Sequence, residues 1–148
     1  YHPENSHVIP ALIRRFHEAK ITNQAEVVAW GSGSALREFL YVDDLASASI
    51  YIMNLDKTIL DSACSMMNSH INVGSGIEHS IKDLTEYIAT IVDYKGRIKW
   101  DLNKPDGAPR KIMENTKLNG LGWKPSVGLR EGLIETYRCF LTGLDAQL

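Results

Sequence analysis

Apolar positions along the chain alternate between a helical and a strand-like spacing, and the switches divide it into short elements. From Val8 to Lys20, Ile9, Leu12, Ile13 and Phe16 fall at i, i+3, i+4 and i+7, one face of a helix. Ser6 is placed to cap it, and Pro10 sits in the first turn, where its missing N–H costs little. Glu26 to Trp30 reads as a strand, followed by a Gly31-Ser32-Gly33-Ser34 turn, and Arg37 to Val42 reads as the next strand. Asp43 and Asp44 then open a helix to about Asn54 with Leu45, Ala48 and Ile52 on its buried face. Carboxylates there satisfy free N–H groups and favour the positive end of the helix dipole. Lys57 to Asn68 reads as a short helix and a loop, and His70 to Val73 as a short strand stopping at Gly74-Ser75-Gly76.

In the second half, Ser80-Ile81-Lys82-Asp83 has the form of a capping box, opening a helix through Leu84, Ile88 and Ile91. Arg97 to Asp101 is strand-like, Lys104 to Pro109 is loop, and Glu114 to Asn119 fits a short helix. After Ser126, Leu129, Leu133, Tyr137 and Phe140 mark a last helix. Alternating elements predict an α/β fold. A length of 148 residues suits one domain, and 44% hydrophobic with 23% charged residues suits a globular one.

Net charge is -2, so nothing predicts bulk attraction to nucleic acid or to an anionic membrane; any anion site must be local. No apolar run approaches the ~20 residues of a membrane span. Two cysteines, Cys64 and Cys139, give neither a disulfide framework nor metal-ligand spacing, which predicts a reduced, cytoplasmic protein without a metal site. The chain opens on Tyr1 and a loop-like His2-Pro3-Glu4-Asn5, so it is expected to begin inside a longer protein.

Several active-site signatures are missing. Gly31-Ser32-Gly33 and Gly74-Ser75-Gly76 lack the third glycine of a dinucleotide-binding turn. No tyrosine is followed four residues later by a lysine, and there is no nucleophile elbow or Walker loop. Spacing and composition alone stop at an α/β domain with anion-binding capacity.

Particular segments go further. Arg37-Glu38-Phe39-Leu40-Tyr41-Val42-Asp43-Asp44 resembles a segment of extended short-chain dehydrogenases that act on nucleotide sugars. The stretch Asn5 to Ala19, together with Trp30-Gly31-Ser32-Gly33 and Lys104 to Lys111, is similar to the GDP-L-fucose synthase family, over nearly the whole chain and in order. That resemblance implies an NADPH-dependent epimerase–reductase converting GDP-4-keto-6-deoxy-D-mannose to GDP-L-fucose, usually a homodimer. It implies that residues 1–148 are the carboxy-terminal sugar-nucleotide-binding portion, carrying the last strands and helices of a Rossmann-type sheet. The NADP-binding amino-terminal half, with the Ser-Tyr-Lys set and the catalytic cysteine, would then be absent from this chain. Neither Cys64 nor Cys139 matches that cysteine.

The same resemblance assigns candidate roles. His7 would lie near nicotinamide and hexose as a catalytic and cofactor-contacting residue; an imidazole exchanges protons in either direction near neutral pH. Its plainer alternative is a helix-start residue facing solvent. Arg15 and Arg37 would bind substrate, since a guanidinium grips phosphate oxygens through parallel donors. Their alternatives are a solvated helix face for Arg15 and an ion pair with Glu38 or Asp43 for Arg37. Trp30 would offer a flat apolar face to the substrate, or else be an edge-strand tryptophan. Asp106 would accept from guanine or ribose, or else form a turn before Gly107. Arg110 and Lys111 would add positive potential. Two rival readings stay open: a related nucleotide-sugar epimerase or dehydratase, and a non-catalytic binding module.

Overall fold

A computed structural model describes residues 1, 2 and 6–145. Residues 3–5 of the expected opening loop, and with them Asn5 of the recognised segment, lie outside the described residues. The order is α1 (Val8–Ile21), β1 (Glu26–Trp30), β2 (Leu36–Glu38), α2 (Val42–Met53), α3 (Lys57–Ala63), β3 (Glu78–Ser80), α4 (Ile81–Val92), β4 (Arg97–Asp101), β5 (Arg110–Lys111), α5 (Thr116–Gly120) and α6 (Leu129–Asp145). The mixed α/β architecture expected from alternation is what forms.

Strands β1 and β4 pair in parallel from Glu26↔Arg97 to Trp30↔Asp101. Alternation along β1 buries Val27 and Ala29 and leaves Glu26, Val28 and Trp30 outward. The buried face packs under α1 and α4. Leu12, Ile13, Phe16 and Ala19 of α1 meet Leu84, Ile88, Ala89 and Val92 of α4, and Leu133 and Phe140 of α6 close the core. Helix α4 starts where the sequence places it: the Ser80 hydroxyl accepts from the Asp83 amide at 3.0 Å, and the Asp83 carboxylate takes the Ser80 amide in return. Such a cap contributes about 1 kcal/mol.

A second sheet orders β3-β2-β5, antiparallel then parallel. It is shorter than the sequence suggests. The expected strand from Arg37 to Val42 ends at Glu38, because its neighbours offer only three and two residues of ladder, and Val42 already belongs to α2. Neither β3 nor β5 was anticipated. His70 to Val73 forms no strand: no described strand lies beside it, and Lys117 Nζ takes the carbonyls of Asn68 and His70 at 2.8 and 3.1 Å. Ser6 does not cap α1; its hydroxyl donates to the His2 carbonyl at 2.6 Å, and His7 occupies the cap position without a side-chain bond.

Helix α2 also differs in a way that matters. Its packed side is Asp44, Ala48, Tyr51 and Ile52, against Leu118 and Trp123, whereas Leu45 points outward. Asp44 does not cap its own helix. Its carboxylate accepts from Ser126 N (3.0 and 3.1 Å), Ser126 Oγ (2.7 Å) and Val127 N (2.9 Å), tying α2 to the approach to α6. Those bonds hold its carboxyl below the ordinary aspartate range against the opposing pull of burial.

Candidate functional site

Parallel strands present their following loops at one common end, the end where open α/β sheets receive ligands. Here the turn after β1 (residues 31–34) and the loop after β4 (residues 102–109) leave from that end side by side; the Gly31 amide donates to the Asp101 carbonyl at 3.0 Å. The amino end of α1 and β2 complete the rim. His7, Val8, Ile9, Arg37, Phe39, Ile81 and Asp106 enclose an open cleft of about 550 Å³. Val8 and Ile81 are shared with a smaller pocket of about 190 Å³ walled by Ala11, Arg15, Trp30, Thr85 and Trp100. The five candidates from the sequence therefore divide as His7, Arg37 and Asp106 in one compartment and Arg15 and Trp30 in its neighbour.

His7 is exposed at the start of α1, where its carbonyl accepts the Ala11 amide at 3.0 Å. Arg15 spends one N–H on the Val28 carbonyl at 3.3 Å, and its guanidinium lies 5.2 Å from the Trp30 ring centre. The Lys104 ammonium lies at the same 5.2 Å from that ring. Trp30 stays 58% exposed, so two cations and a free aromatic surface border one spot, an arrangement suited to a planar anionic ligand.

Arg37 forms no ion pair among the described residues. Its Nη1 donates to the Leu36 carbonyl at 2.7 Å. The expected competitor, Glu38, is engaged elsewhere: its carboxylate accepts from Gly76 N (2.5 Å), Met113 N (2.9 Å) and Asn115 Nδ2 (3.2 Å). A Cβ on Gly74 would come within 2.3 Å of Glu38 Oε1, so that hub requires glycine. Lys111 stands directly opposite Arg37 in the ladder, and cross-strand partners share a face. Arg110, by contrast, is neutralised by a two-point contact with Glu78 at 2.5 and 3.0 Å, which lowers the Glu78 pKa.

Asp106 borders the cleft, but its carboxylate already has partners. Oδ1 accepts from Ser32 N at 2.6 Å and Oδ2 from Ser32 Oγ at 2.8 Å, and these bonds hold its carboxyl below the usual range. Sequence reasoning missed Ser32 and Lys104 as participants. Their signal was positional: both follow strands whose carboxyl ends turn out to be adjacent. No group of three or more metal-ligating side chains occurs among the described residues. A separate cavity of about 450 Å³ between α1 and α6, lined by Tyr1, His17, Cys139 and Phe140, contains none of these candidates.

Residues 1–74 match the NAD dependent epimerase/dehydratase family. The chain belongs to that family. Within the epimerase/dehydratase family it is 54% identical over 141 residues to a probable GDP-L-fucose synthase 1 of Oryza sativa, covering 95% of this chain and 40% of the rice protein. It is 51% identical over 145 residues to the GDP-L-fucose synthase of Escherichia coli K12, covering 98% of this chain and 45% of that enzyme. A GDP-mannoheptose C4 reductase from Campylobacter jejuni, solved with NADP bound, superposes with a TM-score of 0.78 at 34% identity over 95% of this chain and 46% of its own. The chain thus spans less than half the length of the relatives it matches. The expected membership of the nucleotide-sugar epimerase group and the expected α/β class both hold.

Proposed function

We propose that this chain is the sugar-nucleotide-holding part of a GDP-L-fucose synthase, an NADPH-dependent epimerase–reductase making GDP-L-fucose from GDP-4-keto-6-deoxy-D-mannose. The observation that carries the reading is the pair of adjoining clefts at the carboxyl ends of β1 and β4. Arg15, Lys104 and Trp30 border one, and Arg37 and His7 border the other. A GDP-sugar has the matching parts: a planar base, a doubly charged diphosphate and a hexose. Arg37, aided by Lys111, supplies charge for the diphosphate; Trp30 and Arg15 supply a stacking surface; Asp106 accepts from ribose or base. His7 supplies the proton-transfer group for epimerisation and touches the cofactor.

NADPH supplies the hydride when bound. The chain's own fingerprint for holding it is missing, so the cofactor's main site belongs to a complementary segment. The outer face of α2 supports such a partner. Val42, Leu45, Ala46, Ser49, Ile50 and Met53 lie along it, all exposed and none charged. Beside it runs an apolar groove of about 300 Å³ lined by Phe39, Tyr41, Leu129 and Leu133. An uncovered apolar stripe of that kind marks an interaction surface. The complete enzyme is read as a cytoplasmic homodimer. No described helix is long and apolar enough to cross a membrane.

Calorimetric titration of GDP, UDP and dTDP into the chain tests the ligand class. Preference for GDP supports the reading; equal or stronger binding of UDP or dTDP points to another sugar-nucleotide enzyme. Adding the amino-terminal half of a relative and following NADPH oxidation tests the activity. A stable complex without turnover would favour a non-catalytic module.

A further inference from the structure

Resting on the nucleotide reading above, we propose that Ser32 is a positioning residue: it orients Asp106 for ligand contact and fixes the 102–109 loop across the mouth of both clefts. The argument starts from the turn that leaves β1. Gly31 and Gly33 both adopt φ +75°, in the left-handed region. Backbone amides in such a turn form a concavity that accepts an anion. The anion here belongs to the chain itself, because the Asp106 carboxylate is bound at both oxygens by the Ser32 amide and hydroxyl. The approach is too close for any side chain at the preceding position, since a Cβ on Gly31 would meet Asp106 Oδ1 at 2.3 Å.

The serine hydroxyl is itself oriented. The Ser34 amide donates to Ser32 Oγ at 3.2 Å, and the Ser34 hydroxyl lies 2.8 Å from it. Each carboxylate oxygen offers about two acceptor directions. Ser32 occupies one on each and the Gly33 amide takes another, so about one acceptor direction remains for a hydroxyl or N–H of a ligand in the cleft that Asp106 lines. The same loop carries Lys104 to the Trp30 ring, and Gly107 comes close to Arg37, with its Cβ position 3.6 Å from Nη2. One contact between segments 74 residues apart therefore sets elements of both compartments. Removing the hydroxyl frees the carboxylate to rotate and loosens the loop. Asparagine at position 106 keeps the shape and loses the charge.

The decisive experiment titrates GDP into the 148-residue chain and its variants by calorimetry, alongside a carboxyl-carbon NMR titration of Asp106. Ser32→Ala is expected to weaken GDP binding about tenfold, the worth of one hydrogen bond to a charged group. Ser32→Thr, which keeps the hydroxyl, should restore affinity to within about twofold of the parent on the same grounds. Ser32→Ala combined with Asp106→Asn should bind no more weakly than Asp106→Asn alone. The Asp106 midpoint should rise in Ser32→Ala, because the hydroxyl bond that favours its charged form is lost while the backbone amide bonds remain. Since the ligand contact needs the carboxylate, GDP binding should then fade at a higher pH than in the parent. The other charged or titratable groups lining this cleft are Arg37 and Glu38 of β2 and His7 at the start of α1, with Lys104 on the same loop as Asp106; all are unchanged in these variants. Parent-like binding by Ser32→Ala, or additive losses in the double variant, would overturn the proposal. A parent chain with no GDP affinity would instead overturn the nucleotide reading. The positioning claim would then stand or fall on whether the Asp106 midpoint moves in Ser32→Ala.

Discussion

Replacing Asp44 by alanine tests how the two hydrophobic clusters are joined. The side chain is 3% exposed, yet it receives three donor groups from Ser126 and Val127. Deleting it strands those donors. Ser126 is exposed and can turn to water, so the cost per group falls to that of an ordinary net hydrogen bond, below that of a fully buried bond to a charge. About 1 kcal/mol for each donor gives a loss of about 3 kcal/mol, or a fall in melting temperature of about 9 °C for a chain of this size. Asp44→Asn keeps one acceptor oxygen and should lose roughly half as much. Thermal and urea unfolding followed by circular dichroism measure both. The pH dependence has a definite sign. The folded-state pKa of Asp44 lies below its unfolded value of 3.8, so its contribution is complete above that value and disappears as pH falls through the lower folded one. The gap between parent and Asp44→Ala should therefore be constant from neutral pH to about 5 and narrow on further acidification. A gap below about 0.5 kcal/mol at neutral pH, or one that does not narrow in acid, would refute this account of the contact.

Two further outcomes follow from particular sites. Gly33→Ala should destabilise the chain by about 1–3 kcal/mol, because φ is +75° and the new Cβ would lie 2.6 Å from the Trp100 ring, whereas Gly120→Ala meets nothing and should be neutral or slightly stabilising; paired melting curves decide. The exposed stripe on α2 should make the isolated chain self-associate at high concentration, and Ile50→Lys with Met53→Glu should abolish this in sedimentation velocity, whereas a parent that stays monomeric throughout would contradict it.

Helices with a strong apolar period were legible from the chain alone. Val8–Ile21, Ile81–Val92 and Leu129–Asp145 each turn the residues the spacing selects toward the core, with Ile9, Ile91, Leu129 and Tyr137 half-buried at its margin, and the capping box at Ser80 fixes the start of the second. Strands β1 and β4 were legible because five residues suffice to show alternation or β-branched content. Three-residue β3 and two-residue β5 carry no period at all; they exist only because β2 lies between them. His70 to Val73 shows the converse, a strand-like composition with no ladder beside it. The outward turn of Leu45 was illegible for a different reason. Helix α2 is apolar around most of its circumference, so its pattern could not say which side would be packed. At the site, resemblance supplied His7, Arg15, Trp30, Arg37 and Asp106, but not how they divide between two compartments. Nor could it show that Glu38 serves the backbone of two loops and leaves Arg37 unpaired. Ser32 read as an ordinary turn residue because its partner is remote in sequence.

The parallel pairing of β1 with β4 has a consequence for biosynthesis. Glu26 leaves the ribosome 71 positions ahead of Arg97, the residue it must sit beside. At ~5–20 residues per second, translation of that interval takes roughly 4–14 s. Throughout that time Val27 and Ala29 have neither a neighbouring strand nor helix α4 to cover them. The nascent chain therefore presents a bare sheet edge for far longer than a hairpin would, and its yield in cells should depend on holding chaperones and on slow synthesis at low temperature.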